Sequence, residues 1–450
     1  MSWLHASDLS DGEFAMLQEA YLMNVEGRAP DTPNLEAAGG AGRPWAEAPA
    51  YLLILDLLAI FAAVTLPWST TATTVLMVGW SIAVIPTIDW DEFIRSLALP
   101  ACALPLALFV LADIGVLWSD GPWELGVQAV NPVSKLLLLP LLLYHFRRSD
   151  RAPWVLMSFA MSSAVMMMLS WVALADPSTL AAALPVEQAL GSHQPFTLCA
   201  LALVGPALAG HARGQTAAAF AFAGLSALFL SHELLVTPAQ TACVTTTTLV
   251  LVLAIRHVSR RLAVLLLAAA ALTGSVAWAA SPLLSRPIVQ TVVQMHLSIL
   301  TGDGAAERRP DWRRALASLA EAPLLGHGTG AIRPPFAADA RGPLEVRGTG
   351  RDAQSLSVAW QWGLAGVVLL AAMWISHIHL VRGRDGIGWV GLTIIVQTCV
   401  GSMLGSNVVG VNEGWIYVIG LGVAGGVALR RRAGDPDKAP RPALPVGSVF

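Results

Sequence analysis

Long apolar segments are the feature that most constrains the fold of this chain. An α-helix needs about 20 apolar residues to cross the hydrocarbon core of a bilayer, and twelve such segments follow one another along the sequence. They lie near residues 50–68, 72–88, 97–118, 128–146, 153–175, 194–211, 215–233, 237–255, 262–284, 355–381, 386–406 and 413–429. The pattern predicts an all-α fold, a polytopic membrane bundle of about 12 transmembrane helices.

The composition excludes several other classes of protein. Only 13% of the 450 residues are charged and 55% are hydrophobic, whereas soluble domains carry roughly a quarter charged residues. A net charge of −3 leaves no global basic surface for a polyanion, so no nucleic-acid partner is expected. The four cysteines show no metal-ligand or redox spacing. We therefore predict membrane lipids as partners and no metal or other cofactor.

The distribution of arginine predicts the orientation of the bundle. With the N-terminus inside, the short inner loops contain ten arginines and the short outer loops contain none, which matches the positive-inside rule. The ten are Arg95, Arg147, Arg148, Arg151, Arg213, Arg256, Arg260, Arg261, Arg382 and Arg384. Both termini are therefore predicted to be cytoplasmic.

One long polar segment, between the ninth and tenth apolar segments, departs from this charge pattern. Residues 286–352 contain nine arginines and seven acidic residues, and the segment count places them outside. Long loops cross the membrane regardless of their charge, so a large helical outer loop is expected. The predicted division is a cytoplasmic tail at 1–49, nine helices at 50–285, the loop at 286–353, three helices at 354–430 and a second tail at 431–450.

Cations crowd the start of a helix that is predicted within this loop. Pro310 is a favoured first-turn residue, and the positive end of the helix dipole disfavours neighbouring cations unless an anion is bound. The cations are Arg308, Arg309, Arg313 and Arg314. Arginine suits phosphate because its planar fork offers two parallel donors. Two interpretations stay open, namely anionic lipid headgroups and a specific phosphate-bearing ligand.

Two further features have competing interpretations. The run from Gly326 to Gly330, which contains His327, is either a turn that cradles phosphate or a turn that ends the preceding helix. Polar residues also occur within apolar segments, where they are costly and often functional. Among them, Lys135 either has a functional role or forms a structural pair with Asp113 or Asp56.

Several stretches of the sequence resemble the O-antigen ligase and polymerase superfamily, over roughly residues 97–430. They are residues 104–108 and 115–119, the Lys135–Pro140 run, Arg308 with Trp312 four residues later, the 322–328 stretch, and residues 356–366 with Trp362 and Gly363. The resemblance implies a membrane glycosyltransferase of the GT-C-like type in the bacterial inner membrane. The outer loop is then the periplasmic catalytic loop.

The resemblance also implies the reaction and the partners. A glycan would pass from an undecaprenyl-diphosphate carrier to an acceptor sugar at the periplasmic face, with inversion and without a metal. The acceptor is lipid A-core for a ligase and another glycan chain for a polymerase, which is the alternative within the superfamily. The alternative from another class is a secondary transporter, because twelve helices suit one, although no internal repeat is evident.

Individual site residues follow from the positions that match the superfamily. Arg308 is retained as a catalytic residue. The superfamily histidine that is proposed to act in catalysis, just before the helix that follows the loop, is replaced here by Asp352 or Gln354, depending on the alignment. These two residues are therefore the other catalytic candidates. Gln240 stands at a second position that is usually arginine. The donor diphosphate is then expected to contact Arg308, Arg309, Arg313, Arg314, His327 and Gln240.

The predicted topology can be tested by labelling single cysteines from outside the cell. In a chain whose native cysteines are replaced by serine, an impermeant maleimide should label Gly342→Cys and should not label Ser259→Cys. Labelling of Ser259→Cys alone would contradict the orientation.

Overall fold

The computed structural model describes residues 48–175, 194–235, 246–252, 320–331, 354–383, 385–404 and 411–433. In these ranges all regular secondary structure is helical. The prediction of an all-α chain is thus confirmed for the described residues.

Thirteen helices are labelled here in chain order. They are α1 (Pro49–Thr65), α2 (Thr70–Val84), α3 (Trp90–Leu97), α4 (Pro100–Ile114), α5 (Trp123–Ser134), α6 (Leu138–Arg148), α7 (Ala152–Ala175), α8 (Gln194–Ala202), α9 (Val204–Ala212), α10 (Thr216–Leu235), α11 (Gln354–Leu380), α12 (Gly386–Leu404) and α13 (Val411–Ala433). Short 3₁₀ segments extend α2, α4 and α5 at Ile85–Thr87, Gly115–Trp118 and Lys135–Leu137.

Seven helical stretches among the described residues are long and apolar enough to cross a membrane. They are Thr70–Thr87, Pro100–Trp118, Trp123–Arg148, Ala152–Val172, Pro195–Ala212, Ser357–Leu380 and Gly386–Met403. Each overlaps one of the twelve predicted segments. The protein therefore has the helices of a membrane protein.

The remaining predicted segments are accounted for one by one. Helix α1 is apolar but has only 17 residues, α10 carries the polar pair His232–Glu233 near its end, and α13 has charged residues near both ends. The segment at 237–255 is described only over 246–252, and 262–284 lies outside the described residues. The count of twelve and the large periplasmic loop stay predictions.

Helix α13 lies at the centre of the bundle. Its residues 414–427 are all buried, and glycines let it approach α6 closely. A Cβ atom at Gly426 would lie 2.6 Å from the Cβ of Phe146, and one at Gly425 would lie 2.6 Å from a methyl of Leu143. Small residues at helix contacts allow such packing in membrane bundles, which explains a buried helix that is rich in glycine.

Ion pairs bring three of the inner-loop arginines and two arginines from the last turn of α13 to one end of the bundle, called the basic end here. The pairs are Arg147 and Arg148 with Glu92, Arg151 with Asp56, Arg430 with Asp150, and Arg431 with Asp385. These arginines therefore share one end, in agreement with the segment count. The side of the membrane that this end faces stays a prediction.

The pairing of Asp56 corrects one sequence-based expectation. Its buried carboxylate accepts hydrogen bonds from Ser149 at 2.7 Å and Arg151 at 3.2 Å, and it lies 2.9 Å from Nε2 of His145. The proposed Asp56–Lys135 pair is therefore wrong. The ammonium of Lys135 lies instead 5.8 Å from the ring centroid of Trp415.

Candidate functional site

The two flanks of the predicted loop are joined by reciprocal hydrogen bonds. On one flank, His327 and Gly328 donate their backbone N–H groups to the carbonyls of Trp360 and Gln361, at 3.0 and 2.9 Å. On the other, Leu364 and Ala365 of α11 donate to the carbonyls of Pro323 and Leu324, at 2.9 and 3.1 Å. Residues 323–328 and 360–365 therefore form one unit.

A break in α11 makes this exchange possible. Gly363 has φ 58° and ψ −151°, outside the helical region. In a regular helix the N–H groups of Leu364 and Ala365 would bond to the carbonyls four residues earlier, which are those of Trp360 and Gln361. The break frees both donors and both acceptors, and the incoming turn supplies a partner for all four. These four groups therefore keep hydrogen-bond partners, which stabilises a kinked apolar helix here.

Thr329 connects this unit to α4 through hydrogen bonds. Its backbone N–H donates to the carbonyl of Gly115 at 2.9 Å, and its hydroxyl donates to the carbonyl of Ala112 at 2.6 Å. The same hydroxyl accepts the indole N–H of Trp362 at 2.8 Å. Thr329 is fully buried. One side chain thus joins α4, the glycine turn and α11.

The glycines of the turn are required by conformation and by space. Gly326, Gly328 and Gly330 have φ values of 65°, 91° and 77°, in the left-handed region. A Cβ at Gly328 would lie 2.6 Å from the backbone nitrogen of Ser119, and a Cβ at Gly330 would lie 2.6 Å from the backbone nitrogen of Gly126. The turn passes too close to neighbouring backbone for any larger residue.

The backbone donors of this turn are all used within the protein. Gly326 donates to Ala322, Gly330 donates to the side-chain oxygen of Gln361 at 3.1 Å, and Ala331 donates to Gly328. Together with the bonds above, every N–H group from residue 326 to 331 has a protein acceptor. The interpretation as a phosphate cradle is therefore wrong. The other interpretation, a turn that follows a helix end, agrees with the helical residues at 320–321.

His327 is the one side chain of the turn whose polar atoms lack protein hydrogen bonds among the described residues. Its ring stacks on Trp360, with 3.7 Å between centroids and 14° between planes. Its Nδ1 is buried and without a partner in the described part of the chain, and Nε2 lies 3.9 Å from a carboxylate oxygen of Glu321, too far for a hydrogen bond. The side chain is 17% exposed. A small opening thus leads to an imidazole held in a fixed plane.

The structure locates two of the predicted site residues. His327 lies in the turn, and Gln354 begins α11, in the same helix as the stacked Trp360. Both therefore belong to segments that meet at the same end of the bundle. The other predicted site residues lie outside the described residues; they are Gln240, Arg308, Arg309, Arg313, Arg314 and Asp352.

Sequence reasoning missed the residues that build this unit. The functions of Thr329, Gln361 and Gly363 in holding it together were not predicted. A signal was present, because a lone glycine inside an apolar helical pattern often has a packing reason.

Among the described residues, no group of three or more His, Cys, Asp or Glu side chains is placed to hold a metal ion.

Comparison with known proteins leaves the chain without an assigned family. No protein-family model matches it, and no curated protein matches it either.

The fit of the turn can be tested with a pair of glycine substitutions. Gly328→Ala should lower the free energy of unfolding by about 2 kcal/mol or more, because it combines backbone strain with overlap at Ser119. Thermal unfolding followed by tryptophan fluorescence would measure the effect.

Gly224→Ala is the matched control, since nothing lies within 4 Å of a Cβ built at this helical position. It should leave stability unchanged or raise it by about 0.5–1 kcal/mol. Equal behaviour of the two variants would contradict the described packing of the turn.

Proposed function

We propose that this protein is a membrane glycosyltransferase that moves a glycan from an undecaprenyl-diphosphate carrier to an acceptor sugar at the periplasmic face. The observation that supports it is the docking of the glycine turn onto α4 and α11. This docking ties the segment after the predicted arginine cluster to the helix that begins at Gln354. Among the described residues, His327, which we propose contacts the donor, and the helix that carries Gln354 are thereby brought to one end of the bundle.

The position of this end is consistent with a reaction at the outer face. Gly330 packs against Gly126 near the start of α5, whereas Arg148 pairs with Glu92 at the end of α6. The stretch of helix from Gly126 to Arg148 spans roughly 33 Å, comparable with the ~30 Å hydrocarbon core. If the basic end is cytoplasmic, the docked turn lies at the periplasmic surface, where a lipid-linked glycan presents its diphosphate.

The chemistry requires stabilisation of a departing diphosphate. Fixed cations and hydrogen-bond donors aimed at that charge are usually the largest single contribution to such catalysis. We assign this task to Arg308, with Arg309, Arg313 and Arg314 adding positive charge. His327 adds an imidazole that is already oriented by its stack on Trp360, so it loses little side-chain freedom when it contacts a ligand.

The acceptor hydroxyl needs orientation as its oxygen bonds to the anomeric carbon and the bond to the diphosphate breaks. Its proton passes to the Asp352 carboxylate if Asp352 holds the superfamily histidine position, and to water if Gln354 does. We assign the positioning of this hydroxyl to Asp352 or Gln354, since one of them takes the place of the superfamily histidine. Both stand directly before the part of α11 that carries the docked turn. The hydrogen bonds that dock the turn thus lie next in sequence to the proposed acceptor-positioning residues.

Arginine geometry gives a direct test of the diphosphate assignment. Arg308→Lys keeps the charge but loses the forked pair of donors, so transfer should fall about 10²–10³-fold. Arg341→Lys, in the same loop, should retain full activity. The assay uses purified full-length variants with an undecaprenyl-diphosphate-linked glycan as donor and lipid A-core as acceptor.

Two results would count against the proposal. Full activity of Arg308→Lys would exclude the diphosphate contact and favour the interpretation that the arginines bind lipid headgroups. Absence of transfer to either lipid A-core or a glycan acceptor by the unmodified protein would overturn the glycosyltransferase assignment itself.

A further inference from the structure

A large cavity lies at the basic end, away from the docked turn. Its volume is about 810 Å³, and it opens between α7, the α8–α9 pair, α10, α12 and α13. Its walls are mainly apolar and include Leu66, Leu156, Leu198, Val390 and Ile416. A cavity of this size is in the upper part of the range for sites that hold organic ligands. Apolar walls disfavour a sugar, whose hydroxyls would lose their hydrogen bonds to water.

The polar lining residues are collected at one end of the cavity. Arg213 and Gln215 lie in the turn between α9 and α10, Asp385 precedes α12, and Arg431 lies in the last turn of α13. The apolar lining continues along α9 and α8 as far as Leu198. The separation of Leu198 from Arg213 corresponds to roughly 22 Å of helix, which exceeds half of a ~30 Å hydrocarbon core. The cavity thus has a charged mouth and a long apolar interior.

The charges at the mouth do not cancel. Asp385 accepts a hydrogen bond from the Gly388 N–H at 3.1 Å and pairs with Arg431. Burial opposes ionisation of this carboxyl, but the Gly388 N–H and Arg431 outweigh that effect and hold its pKa below the usual value. Arg213 donates through Nε to the carbonyl of Ala209 at 3.0 Å, and no carboxylate pairs with it among the described residues. Among the described residues, the positive charge of Arg213 at the mouth of the cavity therefore has no carboxylate partner.

We propose that this cavity binds an acyl chain of an anionic phospholipid, with the headgroup phosphate at Arg213. The apolar interior matches a hydrocarbon chain, which can leave the bilayer and enter the cavity without exposing its methylene groups to water. The uncompensated guanidinium favours a net negative headgroup over a zwitterionic one. The cavity lies at the end opposite the docked turn, so this lipid is distinct from the proposed glycan donor. The inference does not depend on the proposed function.

Two alanines of α10 offer a matched pair of test positions. Both Ala218 and Ala223 are exposed, but only Ala218 lines the cavity. A phenylalanine at 218 would occupy space that the chain needs, whereas one at 223 would point elsewhere on the helix. Both substitutions are at exposed sites, so the comparison separates loss of the cavity from loss of the fold.

The experiment is a titration of the purified full-length protein with phosphatidylglycerol and phosphatidylcholine, followed by native mass spectrometry. The unmodified protein should bind phosphatidylglycerol more tightly than phosphatidylcholine. Ala218→Phe should weaken phosphatidylglycerol binding by about tenfold or more, because the added ring overlaps the space of the acyl chain and such overpacking costs about 1–3 kcal/mol, while Ala223→Phe should have no effect. Arg213→Gln should remove the preference, a loss of roughly fivefold for phosphatidylglycerol alone.

Three results would overturn the inference. They are equal affinity of the unmodified protein for the two lipids, equal effects of the two phenylalanine variants, and retention of a polyprenyl phosphate in place of the phospholipid. The first two results have no bearing on glycan transfer, because the cavity lies at the end of the bundle opposite the docked turn. The third would assign the cavity to a polyprenyl carrier instead of a phospholipid.

Discussion

The exchange of four backbone hydrogen bonds at Gly363 holds together one end of this bundle. A broken helix in an apolar environment leaves N–H and C=O groups that need partners, because hydrocarbon offers none. Here the carbonyls of Trp360 and Gln361 accept from the turn, and the N–H groups of Leu364 and Ala365 donate to it. The kink and the turn are therefore stable only together. The buried Thr329 extends the same unit to α4.

This constraint also explains why the three glycines of the turn alternate with other residues. Gly326, Gly328 and Gly330 are separated by His327 and Thr329, and each glycine passes close to the backbone of another segment. Thr329 consequently points into the protein and His327 is held against Trp360. The turn thus presents an oriented imidazole at the surface of a rigid unit, which is the arrangement that a binding site on a loop requires.

The sequence predicted the helical class, whereas most of the predicted site residues lie outside the described part of the chain. The length of an apolar segment and the position of arginines between segments can be read locally from the sequence. The seven helices long enough to span a membrane, and the location of Arg148, Arg151 and Arg430 at one end of the bundle, follow from these two signals. Helix α13 shows the limit, since its glycines are explained only by contact with α6. The same holds for Asp56, whose partners His145 and Arg151 are 89 and 95 residues away. Tertiary contacts at such distances leave no periodic pattern in a single sequence.

The glycine turn shows why the functional assignment was harder than the fold. A short run of glycines is compatible with phosphate binding and with tight packing, and the choice depends on which acceptors the N–H groups meet. Four of the six acceptors come from α11 and from the end of α4. The side chain of Thr329 contacts residues 33 and 217 positions away in these helices. The sequence resemblance suggested that the turn lies near the proposed reaction site. The hydrogen bonds of the structure show that the turn joins α4 to α11.

Amide hydrogen exchange measures this hydrogen-bonded unit most directly. The amides of His327 and Gly328 lie in a turn, and those of Leu364 and Ala365 lie at a helix break, where exchange is ordinarily fast. If the four bonds hold the unit together, all four amides should exchange as slowly as those in the centre of α6. Fast exchange at these positions, with slow exchange retained in α6, would contradict the proposed docking of the loop to the bundle.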